Sequence, residues 1–253
     1  MTRNDAATPD ERSRLIAEVR ARVEMEQAFG ADVYRCGESA PCVSPPPGKA
    51  AAPAGDEDAE KRAGLEALRP AVETCRLCSL CDTRTNVVFG VGRSDARLMF
   101  VGEAPGRDED RQGEPFVGRA GKLLTKMIIA MGLSREEVFI GNILKCRPPD
   151  NRTPTLEEMG VCMPYIVRQI EIIRPEIVCA LGATALKGLL GDPRAAISKM
   201  RGKFLDWQGI RLMPTYHPAY LLRSPGEKRK VWADLQLIMA ELGLPAAPEP
   251  ASS

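Results

Sequence analysis

No apolar stretch of the chain reaches the ~18–20 residues that a membrane-spanning helix requires. The opening MTRNDAATPDERSR also lacks the hydrophobic centre of a secretory signal. A membrane span is excluded on that pattern, no membrane partner is expected, and a cytoplasmic location is the expectation. A dominant charge sign is missing too: 35 Lys+Arg stand against 34 Asp+Glu, for a formal net charge of +1. A nucleic-acid partner would therefore have to be held by a local basic patch rather than by the whole molecule's field. Histidine is nearly absent, since His217 is the only one. No internal repeat is visible. No Gly-x-Gly-x-x-Gly with a downstream acid follows the first predicted strand, which argues against a nucleotide-cofactor oxidoreductase. Cysteine, by contrast, is plentiful, with eight in the chain. In a cytoplasmic protein clustered thiols point to metal or cluster binding rather than to disulfides.

Residues 11–29 place Leu15, Ile16, Val19 and Val23 at helical spacing, so residues 1–36 are read as a helical extension. Residues 37–61 are rich in Pro, Ala, Gly and acids and offer little to bury, which predicts a disordered linker. Residues 62–243 then alternate between apolar runs and amphipathic stretches, and 244–253 is read as a disordered tail. Strands are expected over 96–103, 138–146 and 176–182, with two more forming a hairpin about Gln208-Gly209. Helices are expected over 118–133, over 153–175 with a kink or break at Pro164, and in the closing EKRKVWADLQLIMAEL. Strands alternating with helices imply an α/β fold with a mainly parallel sheet covered on both faces. The working site of such a sheet lies beyond the carboxyl ends of its strands. Gly102-Glu103-Ala104-Pro105-Gly106, Asn142 and Tyr216-His217-Pro218 all fall at those ends.

Three side chains there suit ligand chemistry. Asn142 interrupts an apolar strand, and a buried amide must find partners for both a donor and an acceptor. Phe116 is a bulky aromatic in a Gly/Pro-rich loop before a helix. His217 sits at a strand end and can donate a hydrogen bond to a developing anion. Among the cysteines, Cys75, Cys78 and Cys81 form C-x2-C-x2-C, Cys146 closes a strand, and Cys162 lies in the next helix. Thiolates so placed suit zinc or an iron–sulfur cluster, and spacing alone leaves the third and fourth ligands open. Cys179, in an apolar strand, reads as a small buried hydrophobe.

The run CRLC, RTNVVFGVG, LMFVGEAPGRDEDRQGEPFVGRAGKLL, GNILKCRPPDNRTP and PTYHPAYLLR resembles the family 4, iron–sulfur type, uracil-DNA glycosylases over about residues 70 to 243. The resemblance implies a three-layer α/β/α sandwich and release of uracil from uracil-containing DNA, leaving an abasic site. It also implies a [4Fe–4S] cluster on Cys75, Cys78, Cys146 and Cys162, with Cys81 left over. Its uracil pocket maps to Glu103, Ala104, Gly106, Glu109, Phe116, Asn142 and His217, with Phe116 stacking on the base and Asn142 reading its edge. His217 and Glu103 are the candidate catalytic residues. Ala104 stands where other uracil glycosylases place a water-orienting Asp, so Glu103, Asp108 and Glu109 are the candidates for that role. Asp108 and Asp110 read as a solvated acidic loop.

Eight Lys/Arg between 197 and 230 form a candidate phosphate grip beside His217, and Leu221 or Leu222 is a candidate wedge into the base stack. The protein is expected to work as a monomer. A non-catalytic iron–sulfur nucleic-acid-binding or redox-sensing protein is the alternative, and it has no need of Phe116, Asn142 and His217 together. A covalent uracil-trapping relative is disfavoured, because RPPDNRTP follows Cys146 with no histidine.

Overall fold

The structure, a computed structural model, describes residues 57–245. The expected helix over 11–29, most of the 37–61 linker and most of the 244–253 tail lie outside the described residues. In chain order the elements are α1 (Glu57–Glu73), α2 (Leu80–Thr83), β1 (Val91–Gly92), β2 (Leu98–Gly102), α3 (Arg107–Gln112), α4 (Arg119–Ala130), β3 (Phe139–Asn142), α5 (Leu156–Ile173), β4 (Ile177–Leu181), α6 (Ala183–Leu190), α7 (Ile197–Met200), β5 (Leu205–Trp207), β6 (Ile210–Thr215), α8 (Pro218–Arg223) and α9 (Lys228–Glu241). No helix among the described residues is long and apolar enough to cross a membrane.

The six strands form one sheet in the order β1-β3-β2-β4-β6-β5. The four central strands are parallel, and the short edge strands β1 and β5 are antiparallel to their neighbours. The parallel strands read as continuous apolar runs because both faces are covered. Along β2, Leu98 and Phe100 join one core, while Met99 and Val101 join the other. Along β4, Ile177, Cys179 and Leu181 alternate with Val178 and Ala180 in the same way. Residues of α1, α5 and α6 fill the core layer of Met99 and Val101, and residues of α4, α8 and α9 that of Leu98 and Phe100. This is the three-layer sandwich the sequence implied. Cys179 is fully buried, as an apolar strand position should be.

Some local expectations fail for identifiable reasons. Helix α1 begins at Glu57, inside the stretch read as linker, and its first turn carries Glu57, Asp58 and Glu60. Those acids complement the positive end of a helix dipole, so a composition that looks like linker also suits a helix start. Helix α5 runs unbroken through Pro164. The carbonyl that proline leaves unpaired belongs to Gly160, which is exposed and has open space around it, so water can satisfy it. Strand β3 stops at Asn142 rather than at Cys146. The predicted hairpin is present, with Gln208 at φ 54° and Gly209 at φ 82°, which is the double left-handed turn that matches strand twist.

Candidate functional site

Starting from β2, the chain goes to β3 on one side and then returns to β4 on the other. That reversal opens a crevice at the carboxyl ends of the strands. The crevice is a solvent-open cleft lined by Glu103, Ala104, Pro105, Gly106, Glu109, Phe116, Asn142 and His217, among others. All seven pocket positions expected from the sequence are therefore brought together.

The turn after β2 is tied to the continuation of β3: the Ile143 and Leu144 N–H groups donate to the Gly102 and Glu103 carbonyls, both at 3.0 Å. Gly102 is required by close approach. A Cβ there would lie 2.4 Å from Asn142 Oδ1 and 2.6 Å from Phe116 Cζ. Asn142, the last residue of β3, is 2% exposed, and its Oδ1 has no hydrogen-bond partner. Leaving a buried acceptor unpaired costs about 1–3 kcal/mol, so the amide is held ready for a donor from outside the protein.

Phe116 sits in the left-handed region at φ 54°. Its loop is held by Glu109, whose Oε1 accepts the Val117 and Gly118 N–H groups at 3.0 Å each, while Oε2 accepts the Gly106 N–H at 3.1 Å. Both carboxylate oxygens are thus engaged in joining the Gly102–Gly106 turn to the aromatic loop. Glu109 is a clamp, which removes it as a freely available base. The acidic run around it is also no solvated loop. It forms α3, and Asp110 is 4% exposed, with its Oδ1 accepting the Thr85 N–H at 2.8 Å.

His217 is the N-cap of α8, with Pro218 at the first helical position, where a missing N–H costs nothing. Its Nδ1 accepts the Ala219 N–H at 3.1 Å, so the neutral ring carries its proton on Nε2. Burial, and then the charge of Arg223, pushes the imidazole pKa down to about 4 against the opposing pull of Glu109. The ring centroid lies 5.5 Å from that of Phe116, tilted by 31°. Gly182, at φ +95°, lets β4 end against the histidine, since a Cβ there would be 3.0 Å from His217 Cβ. Two residues before the histidine, Thr215 donates to buried Asp234 at 2.5 Å, and Asp234 also pairs with Arg201.

The far wall is the loop Pro148–Thr153, with Asp150 and Asn151 both at φ 54°. Arg152 binds Glu158 of α5 through both carboxylate oxygens, at 2.8 and 2.6 Å, and this holds the Glu158 carboxyl down at about 2. Thr155 and Glu158 complete a capping box at the start of α5. The two wedge candidates separate: Leu221 is fully buried in the core, and Leu222 is 45% exposed beside the cleft. Within the basic cluster, Arg201 is committed to Asp234, and Arg211 pairs with Glu241, while Arg223 reaches the cleft.

Cys75, Cys78, Cys146 and Cys162 line a second cavity, and Cys81 lines it too. Among the described residues no three Cys, His, Asp or Glu side chains converge on a point that one ion would occupy; the thiols surround a space instead. The remaining lining is largely apolar, from residues such as Val72, Leu80 and Leu144. Burial raises the Cys146 thiol and pushes Cys162 up to about 11. Two donors already address these sulfurs: Arg84 Nη1 to Cys146 Sγ at 3.2 Å, and the Lys145 N–H to Cys162 Sγ at 3.3 Å. Four thiols with N–H donors around an apolar cavity fit a thiolate-bound cluster, which supplies the charge compensation that burial otherwise denies. Cys81 differs in the direction of its thiol, which turns to Asp82 at 3.4 Å.

Sequence reasoning missed the supports. The partners of Arg135 and Asp234 are tertiary and unsignalled by spacing, whereas Glu109 stands three residues after Gly106, the spacing of a capping box at the start of α3.

A family model described as the Uracil DNA glycosylase superfamily matches residues 89–236. The chain is 50% identical over 161 residues to a Type-4 uracil-DNA glycosylase of Thermotoga maritima, covering 63% of this chain and 84% of that protein. It is 47% identical over 174 residues to the Type-4 uracil-DNA glycosylase of Archaeoglobus fulgidus, covering 66% and 87%. Similarity to a Type-5 uracil-DNA glycosylase of Pyrobaculum aerophilum is lower, at 34% over 153 residues, covering 53% and 66%.

Proposed function

The chain belongs to the type-4 uracil-DNA glycosylases of the uracil DNA glycosylase superfamily, and on that footing we propose that it hydrolyses the N-glycosidic bond of deoxyuridine in DNA. Free uracil leaves and an abasic site remains, the first step of base-excision repair. The observation that carries the reading is the buried Asn142 Oδ1, left unpaired in the same cleft as Phe116 and a neutral His217.

The target base cannot be reached inside a duplex, so the nucleotide is extruded into the cleft. Phe116 stacks on its face. Asn142 Oδ1 accepts the uracil N3–H, and its amide N–H donates to O4. As the bond from C1′ to N1 breaks, its electron pair goes to the base, and negative charge spreads to O2. His217 Nε2–H donates there, in the place where a preorganised donor contributes most. Water adds to C1′ and loses a proton. Glu103 lines the cleft, and its carboxylate has no hydrogen-bond or ion-pair partner among the described residues, so it is the one available to orient that water. Glu103 also faces uracil C5, where a thymine methyl would crowd it. Ala104 and Gly106 contribute the floor of the turn. Arg223 holds phosphate at the mouth of the cleft, and exposed Leu222 enters the gap in the stack.

Cys75, Cys78, Cys146 and Cys162 would hold a [4Fe–4S] cluster, whose chemistry here is structural cross-linking through iron–thiolate bonds. Cys146 and Cys162 bracket the Pro148–Thr153 wall, and Cys75 and Cys78 join it to the end of α1. The test is incubation with a labelled uracil-containing oligonucleotide, followed by alkali. Strand cleavage at the uracil position is expected. Binding without cleavage would instead identify a non-catalytic nucleic-acid-binding protein.

A further inference from the structure

Phe116 occupies a backbone conformation that an aromatic residue seldom adopts, so something must hold it there. Three contacts do. Glu109 takes the N–H groups of Val117 and Gly118. Gly121, in the first turn of α4, lets the loop backbone press on the helix, since a Cβ there would be 1.8 Å from the Phe116 carbonyl oxygen. The third contact is Arg135, in the connection between α4 and β3. Its Nη2 donates to the Pro115 carbonyl at 2.9 Å, and its Nη1 to the Phe116 carbonyl at 3.3 Å and to Thr125 Oγ1 at 3.2 Å. Consecutive carbonyls turned toward one point are what a left-handed residue produces, and a planar fork of donors is the group that can satisfy both. The guanidinium is half-buried and is not part of the cleft lining.

We propose that Arg135 is a positioning residue for uracil recognition, acting through Phe116: it fixes the Pro115–Phe116 carbonyls and so sets the plane of the aromatic ring against which the extruded base stacks. The inference rests on the reading of the cleft as a uracil pocket. Glu109 and Arg135 divide the work, the carboxylate gathering N–H groups on one side of the ring and the cation gathering carbonyls on the other.

The test is a double-mutant cycle on the full-length, iron-loaded protein, read as inhibition of single-turnover excision by free uracil. Phe116→Ala is expected to raise the uracil concentration for half-inhibition by about 5- to 100-fold, the range for losing one stacking partner. Arg135→Met is expected to raise it by about 3- to 30-fold, as for loss of charge-assisted hydrogen bonds. Arg135→Lys, which can reach one carbonyl, should fall between Arg135→Met and the parent. In the Phe116→Ala background Arg135→Met should add less than about 2-fold, because the ring through which it acts is gone. An equal loss in both backgrounds would make Arg135 a general stability residue and overturn the proposal, as would parental inhibition of Arg135→Met. Parental inhibition of Phe116→Ala would instead refute the stacking reading itself, and the proposal with it. Should Arg135→Met not fold, Arg135→Lys takes its place in the cycle, and failure of that variant to fold also overturns the proposal.

Discussion

The Nδ1 of His217 accepts the backbone N–H of Ala219 at 3.1 Å, and that one bond turns the other ring nitrogen toward the cleft as a donor. The histidine is therefore a neutral donor, held by the first turn of the helix it caps. Because burial pushes its pKa down to about 4, excision should be independent of this group from pH 8 to about 5 and should change only as pH approaches 4. A cationic histidine with an ordinary pKa would lose activity above about 6.5. The same shift has a stability consequence. The unfolded chain takes up a proton below about 6.5 and the folded one does not, so this group's contribution is lost as pH falls from there toward about 4. Single-turnover rates across that range, with thermal melts alongside, check both. His217→Ala should lower the rate by roughly 10²–10³-fold with iron retained, the range for losing one preorganised donor at a developing anion.

Selectivity should follow from Asn142. Its unpaired acceptor matches the uracil N3–H, whereas cytosine presents an unprotonated N3 and a donor in place of O4. A site built to pair a polar edge rejects the reversed pattern strongly. Excision of cytosine is expected to be undetectable beside uracil in a labelled-oligonucleotide assay, and thymine should be spared by crowding against the turn after β2. Comparable release of cytosine would show that Asn142 does not read the base edge.

The central strands were legible because a parallel strand buried on both faces is a short apolar run, as Leu98–Gly102 and Ile177–Leu181 show, whereas the two-residue edge strand β1 carries no such signal. The site was legible because Asn142 and His217 break such runs at their ends. What stayed hidden depends on partners far away in sequence. Asp110 is one acid among several in the sequence, and the Thr85 N–H that it accepts comes from 25 residues earlier. Arg135 looked like any loop arginine, because its acceptors are carbonyls 20 and 19 residues earlier. Pro164 does not end α5, because whether a proline breaks a helix depends on whether the orphaned carbonyl can find water.

The two glycines that press on the site should be intolerant of a single methyl. Gly102→Ala puts a carbon against the Asn142 amide and the Phe116 ring, and Gly182→Ala adds backbone strain of about 1–3 kcal/mol to a close approach to His217, because φ 95° with ψ 173° is a conformation kept to glycine. Excision should fall for both, with Gly102→Ala the worse because it displaces two recognition groups at once. Iron content should stay at the parental level, since neither glycine lines the cysteine cavity. Parallel iron assays and single-turnover rates separate a local effect from a folding failure.

The cysteine cavity makes a sharper test, because five thiols line it and a cluster uses four. Cys146→Ser should yield colourless, iron-poor protein, whereas Cys81→Ser should keep its iron and its visible charge-transfer absorption. The expected difference follows from placement: Cys146 is buried and already receives a hydrogen bond from Arg84, while Cys81 is half-buried and turned to Asp82. Stoichiometric zinc in the parent protein, or iron retained in Cys146→Ser and lost in Cys81→Ser, would reassign the site.

Asp234 should prove to be the support of the His217 segment. It is 1% exposed, accepts the Thr215 hydroxyl and pairs with Arg201, so it joins α9 to the end of β6 two residues before the histidine. Removing one partner of such a pair leaves the other charge uncompensated, at a cost of about 3–5 kcal/mol. For a domain of this size each kcal/mol moves the melting temperature by about 2–4 °C, so Asp234→Ala should lower Tm by roughly 6–20 °C. Asp234→Asn keeps the acceptor for Thr215 and the shape, and it should lie between Asp234→Ala and the parent. Thr215→Val keeps the Arg201 pair and loses only the hydroxyl, so it should cost about 1–2 kcal/mol at most, a drop in Tm of about 2–8 °C. If Asp234 merely glues α9 to the sheet, excision below Tm should be parental in all three variants. If it also sets the His217 segment, Thr215→Val, the mildest in stability, should still slow excision at saturating DNA while leaving the affinity for product DNA unchanged.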